Sequence, residues 1–305
     1  TTSIFPSDEM TFEFLKAQGR EGDYTELKAD EGAEYDEQLV INLDELVPMA
    51  AQPHSPDNVD SIKAIGPIKV DQVAIGSCTN SSYMDMMKVA RILKGKTVHP
   101  SVSLVIAPGS KQVLSMLAQN GALADMVNAG ARILESACGP CIGMGQSPAT
   151  DAVSVRTFNR NFYGRSGTAS AKVYLVSPET AAVTALTGVL TDPRECDADI
   201  DIEMPEKFYV NDNTVVAPAP SVDDVEVVRG PNIQPFPINT ELPESTEGKV
   251  LLKMEDNITT DHIMPSNAKL LPYRSNIPYL SNYCLAPVDP DFSARAKAEN
   301  GGFLV

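Results

Sequence analysis

Val73-Ala74-Ile75-Gly76-Ser77-Cys78-Thr79-Asn80-Ser81 reads as a short apolar strand that breaks at a glycine into a polar loop with a lone cysteine. Helical spacing resumes at once, from Met84 to Leu93. The same rhythm continues downstream. Val102 to Ala107 is a second apolar run, with a helix expected from about Ser110 to Asn120. Ala131-Arg132-Ile133-Leu134, Val153 to Phe158 and Val173 to Val176 are further runs, and a helix opening on Pro178 extends to about Leu190. Short apolar strands alternating with helices indicate βαβ units. The expected fold class is therefore α/β, a three-layer αβα domain with a mostly parallel sheet covered on both faces. In such sheets ligands gather at the carboxyl ends of the strands. Cys78, Cys138 and Asn159 each sit just after an expected strand.

Upstream, Ser7-Asp8-Glu9 looks like a helix start, with the helix running through about Gln18. Tyr35 to Val47 carries β-type residues, including Leu39-Val40-Ile41, and Ala51 to Asp60 reads as a surface loop. Residues 204–247 change character: prolines 205, 218, 220, 231, 235, 237 and 243 lie among acidic and polar residues, as in an extended linker. A strand restarts at Lys249 to Met254. The expected organisation is a domain over 1–203, a Pro-rich linker over 204–247, and the beginning of a second domain over 248–305. The first residues, Thr1-Thr2-Ser3, and the apolar last ones, Gly301-Gly302-Phe303-Leu304-Val305, both read as cuts through a longer protein.

The 305 residues carry a formal charge of −17. Such a surface repels nucleic-acid phosphates and anionic membranes. No apolar run approaches the length of a membrane span. An acidic protein that binds an acidic substrate must gather positive charge locally, so clustered arginines are informative. Five cysteines, an odd number without a secretory signal, point to a reducing compartment, the cytoplasm or an organelle matrix.

Three of those cysteines stand out. Cys78 opens one loop, and Ala137-Cys138-Gly139-Pro140-Cys141-Ile142-Gly143 closes another sixty residues later. Three thiolates suit a [4Fe–4S] cluster with one iron lacking a protein ligand, since such clusters are normally held by four cysteines. An iron with an open position is a Lewis acid rather than an electron carrier. On spacing alone, a redox dithiol or half of a zinc site remains an alternative for Cys138 and Cys141. Cys196 and Cys284 read as incidental thiols, and His54 and His99 as surface residues beside prolines. Asn159-Arg160-Asn161-Phe162-Tyr163-Gly164-Arg165-Ser166 places two arginines five apart in a loop able to fork onto carboxylates. Surface arginines in modest ion pairs are the plainer reading of that segment. Asp261-His262 could orient a proton transfer, but on spacing alone a polar turn with a satisfied histidine is the better reading.

Together these segments resemble the aconitase superfamily of iron–sulfur hydro-lyases. Val73 to Asn80, Ala137 to Gly143 and the Asn-Arg-Asn-Phe-x-Gly-Arg segment carry the resemblance, over about residues 1–195 and 248–305. It implies that Cys78, Cys138 and Cys141 ligate a [4Fe–4S] cluster, that Asn159 supports it, and that Arg160 and Arg165 bind substrate carboxylates. It also implies that Arg274 is an arginine of the mobile swivel domain that holds a further carboxylate. The implied reaction removes and re-adds water across a small tricarboxylate or dicarboxylate. The family's serine base lies in a Gly-Ser-Ser-Arg motif beyond a segment like 301–305, so the chain is expected to be a fragment that needs the remaining aconitase domains and is inactive alone. Because a linker joins both regions in one chain, the expected member is a fused-domain aconitate hydratase acting on citrate and isocitrate in the tricarboxylic acid cycle. 3-Isopropylmalate, homoaconitate and methylcitrate dehydratases are the alternatives. An RNA-binding regulator is disfavoured by the charge, and a non-catalytic zinc module is the remaining class.

Overall fold

A computed structural model describes residues 3–196, 198, 200–267 and 269–305. The chain divides into two compact units, residues 1–215 and 216–305. The first contains helices α1 (Glu9–Ala17), α2 (Ile62–Ile65), α3 (Tyr83–Leu93), α4 (Lys111–Gln119), α5 (Ala122–Ala129) and α6 (Pro178–Thr187). Its strands are β1 (Met49–Ala51), β2 (Val59–Ser61), β3 (Gln72–Gly76), β4 (Ser103–Ala107), β5 (Arg132–Ile133), β6 (Val153–Arg156) and β7 (Lys172–Leu175). They form one sheet in the order β2-β1-β7-β6-β3-β4-β5. From β7 to β5 every pairing is parallel, whereas β1 runs antiparallel to β7 and to β2. This is the expected α/β class with a mostly parallel sheet.

The strand order explains where a site can form. After β3 the chain adds β4 and β5 on one side, then returns to add β6 and β7 on the other. The crevice between the carboxyl ends of β3 and β6 is therefore the topological switch point.

The two faces of the sheet differ in kind. Val73 and Ile75 on β3, Leu104 and Ile106 on β4 and Val155 on β6 belong to the main core, with Val89 and Leu93 of α3, Met126 of α5 and Ala181 of α6. Alternation sends Ala74 and Val105 to the opposite face, where they meet Cys141, Phe158 and Leu134. The covering layer there includes the single-turn helix Gly139–Ile142 that follows Cys138. That face is also polar: Gln72, Ser154 and Arg156 are all buried.

Differences from the sequence expectation have local causes. Residues 35–47 form no strand beyond a short turn at Leu43–Glu45, and Leu39 and Val40 are 83% exposed. Without a pairing edge, β propensity alone orders nothing. The stretch read as a loop after Ala51 instead supplies β2, because the Met49–Ala51 strand turns back on Val59–Ser61 as a hairpin. Helix α5 was missed because Gly121 at its start reads as a breaker. Residues 204–215, read as the opening of a linker, belong to the first unit: Phe208 is buried against Ala17 and Met116 and stacks edge-on with Phe14 at 5.4 Å.

The second unit holds a parallel pair, β8 (Val250–Leu252) and β9 (Phe303–Leu304), with short helices α7 (Thr260–Ile263), α8 (Ile277–Leu280) and α9 (Phe292–Ala298). Among the described residues no helix is long and apolar enough to cross a membrane.

Gly76 ends β3 with φ +112°, and a Cβ there would lie 2.0 Å from the carbonyl oxygen of Ala107. Because that oxygen belongs to the neighbouring strand and cannot swing aside, Gly76→Ala should cost at least about 3 kcal/mol. Urea unfolding monitored by circular dichroism measures it.

Lys88 on α3 and Glu179 on α6 are bridged at 3.1 Å. Burial raises the Glu179 carboxyl, but its backbone amide and Lys88 outweigh that and hold it below the ordinary 4.5. A depressed acid contributes stability above its unfolded value and loses it as pH falls through the folded one. Glu179→Gln should thus cost up to about 1 kcal/mol at neutral pH. The difference from the parent should shrink below pH 4.5, the ordinary value.

Candidate active site at the carboxyl end of the sheet

The lone-cysteine loop is set by two consecutive residues with positive φ, Gly76 at +112° and Ser77 at +71°. They turn the chain sharply out of β3, so that buried Ser77 is followed directly by exposed Cys78. Neighbouring strands lock the turn: the Gly76 amide donates to Thr157 Oγ1 at 2.8 Å and the Ser77 amide to the Ala107 carbonyl at 2.8 Å. Asn80 donates to the Thr157 carbonyl, and Ser81 to that of Ser77. Helix α3 then starts behind a Ser82–Asp85 capping box.

The Cys-x-x-Cys loop rests on the polar sheet face. Its anchor is Arg156, which is fully buried. Arg156 donates from Nη1 to the Pro140 carbonyl at 2.5 Å, from Nη2 to Gln72 Oε1 at 2.8 Å and to the Gln146 carbonyl at 3.3 Å, and from Nε to Ser154 Oγ at 2.9 Å. Its guanidinium lies 5.4 Å from the Phe158 ring centroid. Burial lowers its pKa to about 10, so it is cationic at neutral pH, while the neighbouring Cys141 side chain acts to raise it. Arg132 of β5 grips the far end of the loop, at the Gly145 carbonyl (3.1 Å) and Gln146 Oε1 (2.7 Å). At Gly143, φ is +82° and a Cβ would lie 2.4 Å from the Ser166 carbonyl, so this loop is pressed against the arginine loop.

The two cysteine loops meet. Cys138 Sγ lies 3.8 Å from Cys78 Sγ and 3.7 Å from Ser77 Oγ. The Thr79 hydroxyl holds the Cys78 thiol below its ordinary value. Partial burial of its sulfur pushes the Cys138 thiol up, although that residue as a whole is exposed. Cys141 is buried, and Arg165 donates to its sulfur from Nη2 at 3.7 Å. Arg165 itself is only 9% exposed, Arg160 is half-buried and Asn159 is exposed. The arginine loop is fastened by Asn161, which is fully buried and donates to the carbonyls of Gln52 (2.7 Å) and Val173 (3.1 Å).

Among the described residues, no three His, Cys, Asp or Glu side chains converge closely enough to chelate a single ion. The donor set instead fits a polynuclear iron–sulfur group. It offers three sulfurs on two abutting loops with two cations, Arg156 and Arg165, beside Cys141. Buried hydroxyls of Ser136 and Ser166, both without a protein hydrogen-bond partner, lie in the same loops.

Arg274 belongs to the second unit, exposed, with Nη2 2.6 Å from Ser266 Oγ. His262 Nδ1 accepts from the Thr259 amide at 3.0 Å, so its ring serves as a helix cap. Cys196 and Cys284 are half-buried, and Cys284 belongs to the second unit. His54 is an exposed surface residue, as expected, and lies edge-on to Tyr163 of the arginine loop at 5.3 Å.

The aconitase family (aconitate hydratase) matches residues 1–188. The chain belongs to this family. It is similar to the 3-isopropylmalate dehydratase large subunit 2 of Archaeoglobus fulgidus, 44% identical over 193 residues, which is 63% of this chain and 46% of that protein. Similar matches are the large subunit 1 of Thermotoga maritima (43% over 194 residues) and the large subunit of Caldanaerobacter subterraneus (42% over 194 residues), each covering 63% of this chain and 46% of the relative. The chain thus spans about half the length of the curated relatives it matches.

Asn161→Ala would leave two buried carbonyls without a donor and release the arginine loop. A loss of about 2 kcal/mol is expected in urea unfolding. Amide exchange over residues 159–165 should quicken, while exchange in β3 stays unchanged.

Proposed function

We propose that the first unit is the cluster-bearing part of an iron–sulfur hydro-lyase that dehydrates and rehydrates a small hydroxy-acid with two or more carboxylates. The observation that carries this reading is the meeting of the two cysteine loops at the switch point, with the arginine loop pressed against them. Cys78, Cys138 and Cys141 would hold the group. When bound, it supplies an iron without a protein ligand, a Lewis acid for a hydroxyl and an adjacent carboxylate. The chain's own residues provide the rest. Arg160 projects from a loop whose base is fixed by buried Asn161, so its guanidinium can take a carboxylate without a large ordering cost. Arg165 is positioned for a second carboxylate while also donating to the Cys141 sulfur. Exposed Asn159, next to Arg160 in the same loop, would support the group with its amide. Arg274 and the rest of the second unit would supply a further carboxylate contact, and other domains or subunits the proton-transferring base.

Among substrates, the relatives favour 3-isopropylmalate over citrate and isocitrate, because the proteins that match are named 3-isopropylmalate dehydratase large subunits. Those names give the tricarboxylic acid cycle no support, and "large subunit" supports a separate small-subunit partner. The tricarboxylate reading retains one observation in its favour, the second unit carried on the same chain.

Anaerobic reconstitution with iron and sulfide, followed by EPR, tests this. The parent chain should show a [3Fe–4S] signal after mild oxidation that disappears on adding ferrous iron and reductant. Cys138→Ser should show none. 3-Isopropylmalate, and citrate more weakly, should perturb the reduced spectrum, and Arg160→Ala should weaken that effect about 10–100-fold. A parent chain that binds no cluster sinks the proposal.

A further inference from the structure

Arg156 was not singled out by the sequence. It lies in the last residue of β6, beneath the loop that carries Cys138 and Cys141. Four features set it apart. It is completely buried. Its acceptors are two backbone carbonyls, one side-chain amide and one hydroxyl, all of them neutral. Among the described residues no carboxylate pairs with it. And the one ionisable group whose field it feels is the Cys141 thiol. A buried guanidinium is ordinarily neutralised, because an unpaired charge away from water is costly. Hydrogen bonds engage all three of its nitrogens here but leave the charge uncompensated.

We propose that Arg156 is a positioning residue for the iron–sulfur group: its cation balances the negative charge of the thiolate-bound cluster, and its fork sets the Cys-x-x-Cys loop. This rests on the reading that Cys78, Cys138 and Cys141 hold that group. The charge is supplied from behind, through the sheet face, and leaves the solvent side of the thiols to substrate and to Arg160. The geometry divides the work. Nη1 on the Pro140 carbonyl fixes the residue immediately before Cys141, and Nη2 on the Gln146 carbonyl fixes the loop's exit, while Gln72 and Ser154 aim the guanidinium. Outer-shell partners of this kind typically change metal affinity 10–100-fold when removed.

The test uses the full 305-residue chain, reconstituted anaerobically, with Arg156→Met and Arg156→Lys beside the parent. Three readouts are taken: iron and sulfide per chain, the rate of cluster loss to a chelator, and the reduction midpoint followed by EPR. Arg156→Met removes charge and fork. It should lose cluster at least about tenfold faster and shift the midpoint to more negative potential, since a positive charge no longer favours the added electron. Arg156→Lys keeps a cation but cannot reach both carbonyls. It should keep a midpoint near the parent's while losing cluster several-fold faster. A merely structural role would change unfolding and cluster content without moving the midpoint of the cluster that remains.

Should Arg156→Met fail to fold by circular dichroism, Arg156→Lys decides. Parent-like retention by the lysine variant overturns the fork. Where both variants fold, an unchanged midpoint in Arg156→Met overturns the charge role. Failure of the parent to take up any cluster would instead strike at the cluster reading itself.

Discussion

A guanidinium taken out of water must have every donor satisfied, and one face of this sheet is organised around that constraint. Gln72 on β3 and Ser154 on β6 point to the same side as Arg156, and each is almost completely buried. Their strands are parallel neighbours paired Gln72 to Ser154, so the two side chains lie directly opposite. The polar trio replaces the apolar packing that the other face uses. Its remaining donors leave the sheet and take hold of the backbone on either side of Cys141. The loop needs no long helix of its own to be rigid.

The second constraint is steric. A sulfur donor at position 78 must emerge from the sheet next to the loop from β5, and this brings β3 to within contact of β4. Only a residue without a Cβ can end the strand there, as the 2.0 Å approach at Gly76 demonstrates. Gly143 serves the same purpose between the second cysteine loop and the arginine loop. Each close approach joins segments that are distant in sequence, and at the switch point these contacts bring 76–81, 138–147 and 157–167 together. Ser77, a non-glycine residue at φ +71°, shows that the turn is imposed by its surroundings rather than chosen by the residue.

Much of this was legible in the residues. The strands β3, β4, β6 and β7 announce themselves as apolar runs because both faces of a parallel strand are buried. Three cysteines placed after strands pointed to the carboxyl end of the sheet, where the fold does bring Cys78 and Cys138 together. Leu39-Val40-Ile41 misled for the converse reason: a β-type run is a strand only if an edge is available to pair with. Arg156 escaped notice because an arginine within Val-Ser-Val-Arg reads as a solvent-facing residue at a strand end. Only the fold shows that the loop from 138 to 147 covers it. The ring contact of exposed His54 with Tyr163 is likewise visible only in the fold, since it joins two loops about a hundred residues apart.

The net charge of −17 sharpens the electrostatic question. An anionic substrate approaching this chain meets a repulsive field, which salt screens over roughly 8–10 Å. Attraction must therefore come from cations whose own field is not screened. Arg165, at 9% exposed, and Arg156, fully buried, satisfy that condition, because a charge within a low-dielectric wall acts more strongly at short range than one in water. The two have separate claims on them. Arg156 lies on the sheet side of the Cys-x-x-Cys loop and is fully buried, whereas Arg165 lies in the arginine loop and donates to the Cys141 sulfur. On the proposed reading, half-buried Arg160 would make first contact with an acid, and the buried pair would hold the negative charge that follows. In a chain this acidic, any attraction for anions would have to rest on a few desolvated guanidinium groups rather than on the surface.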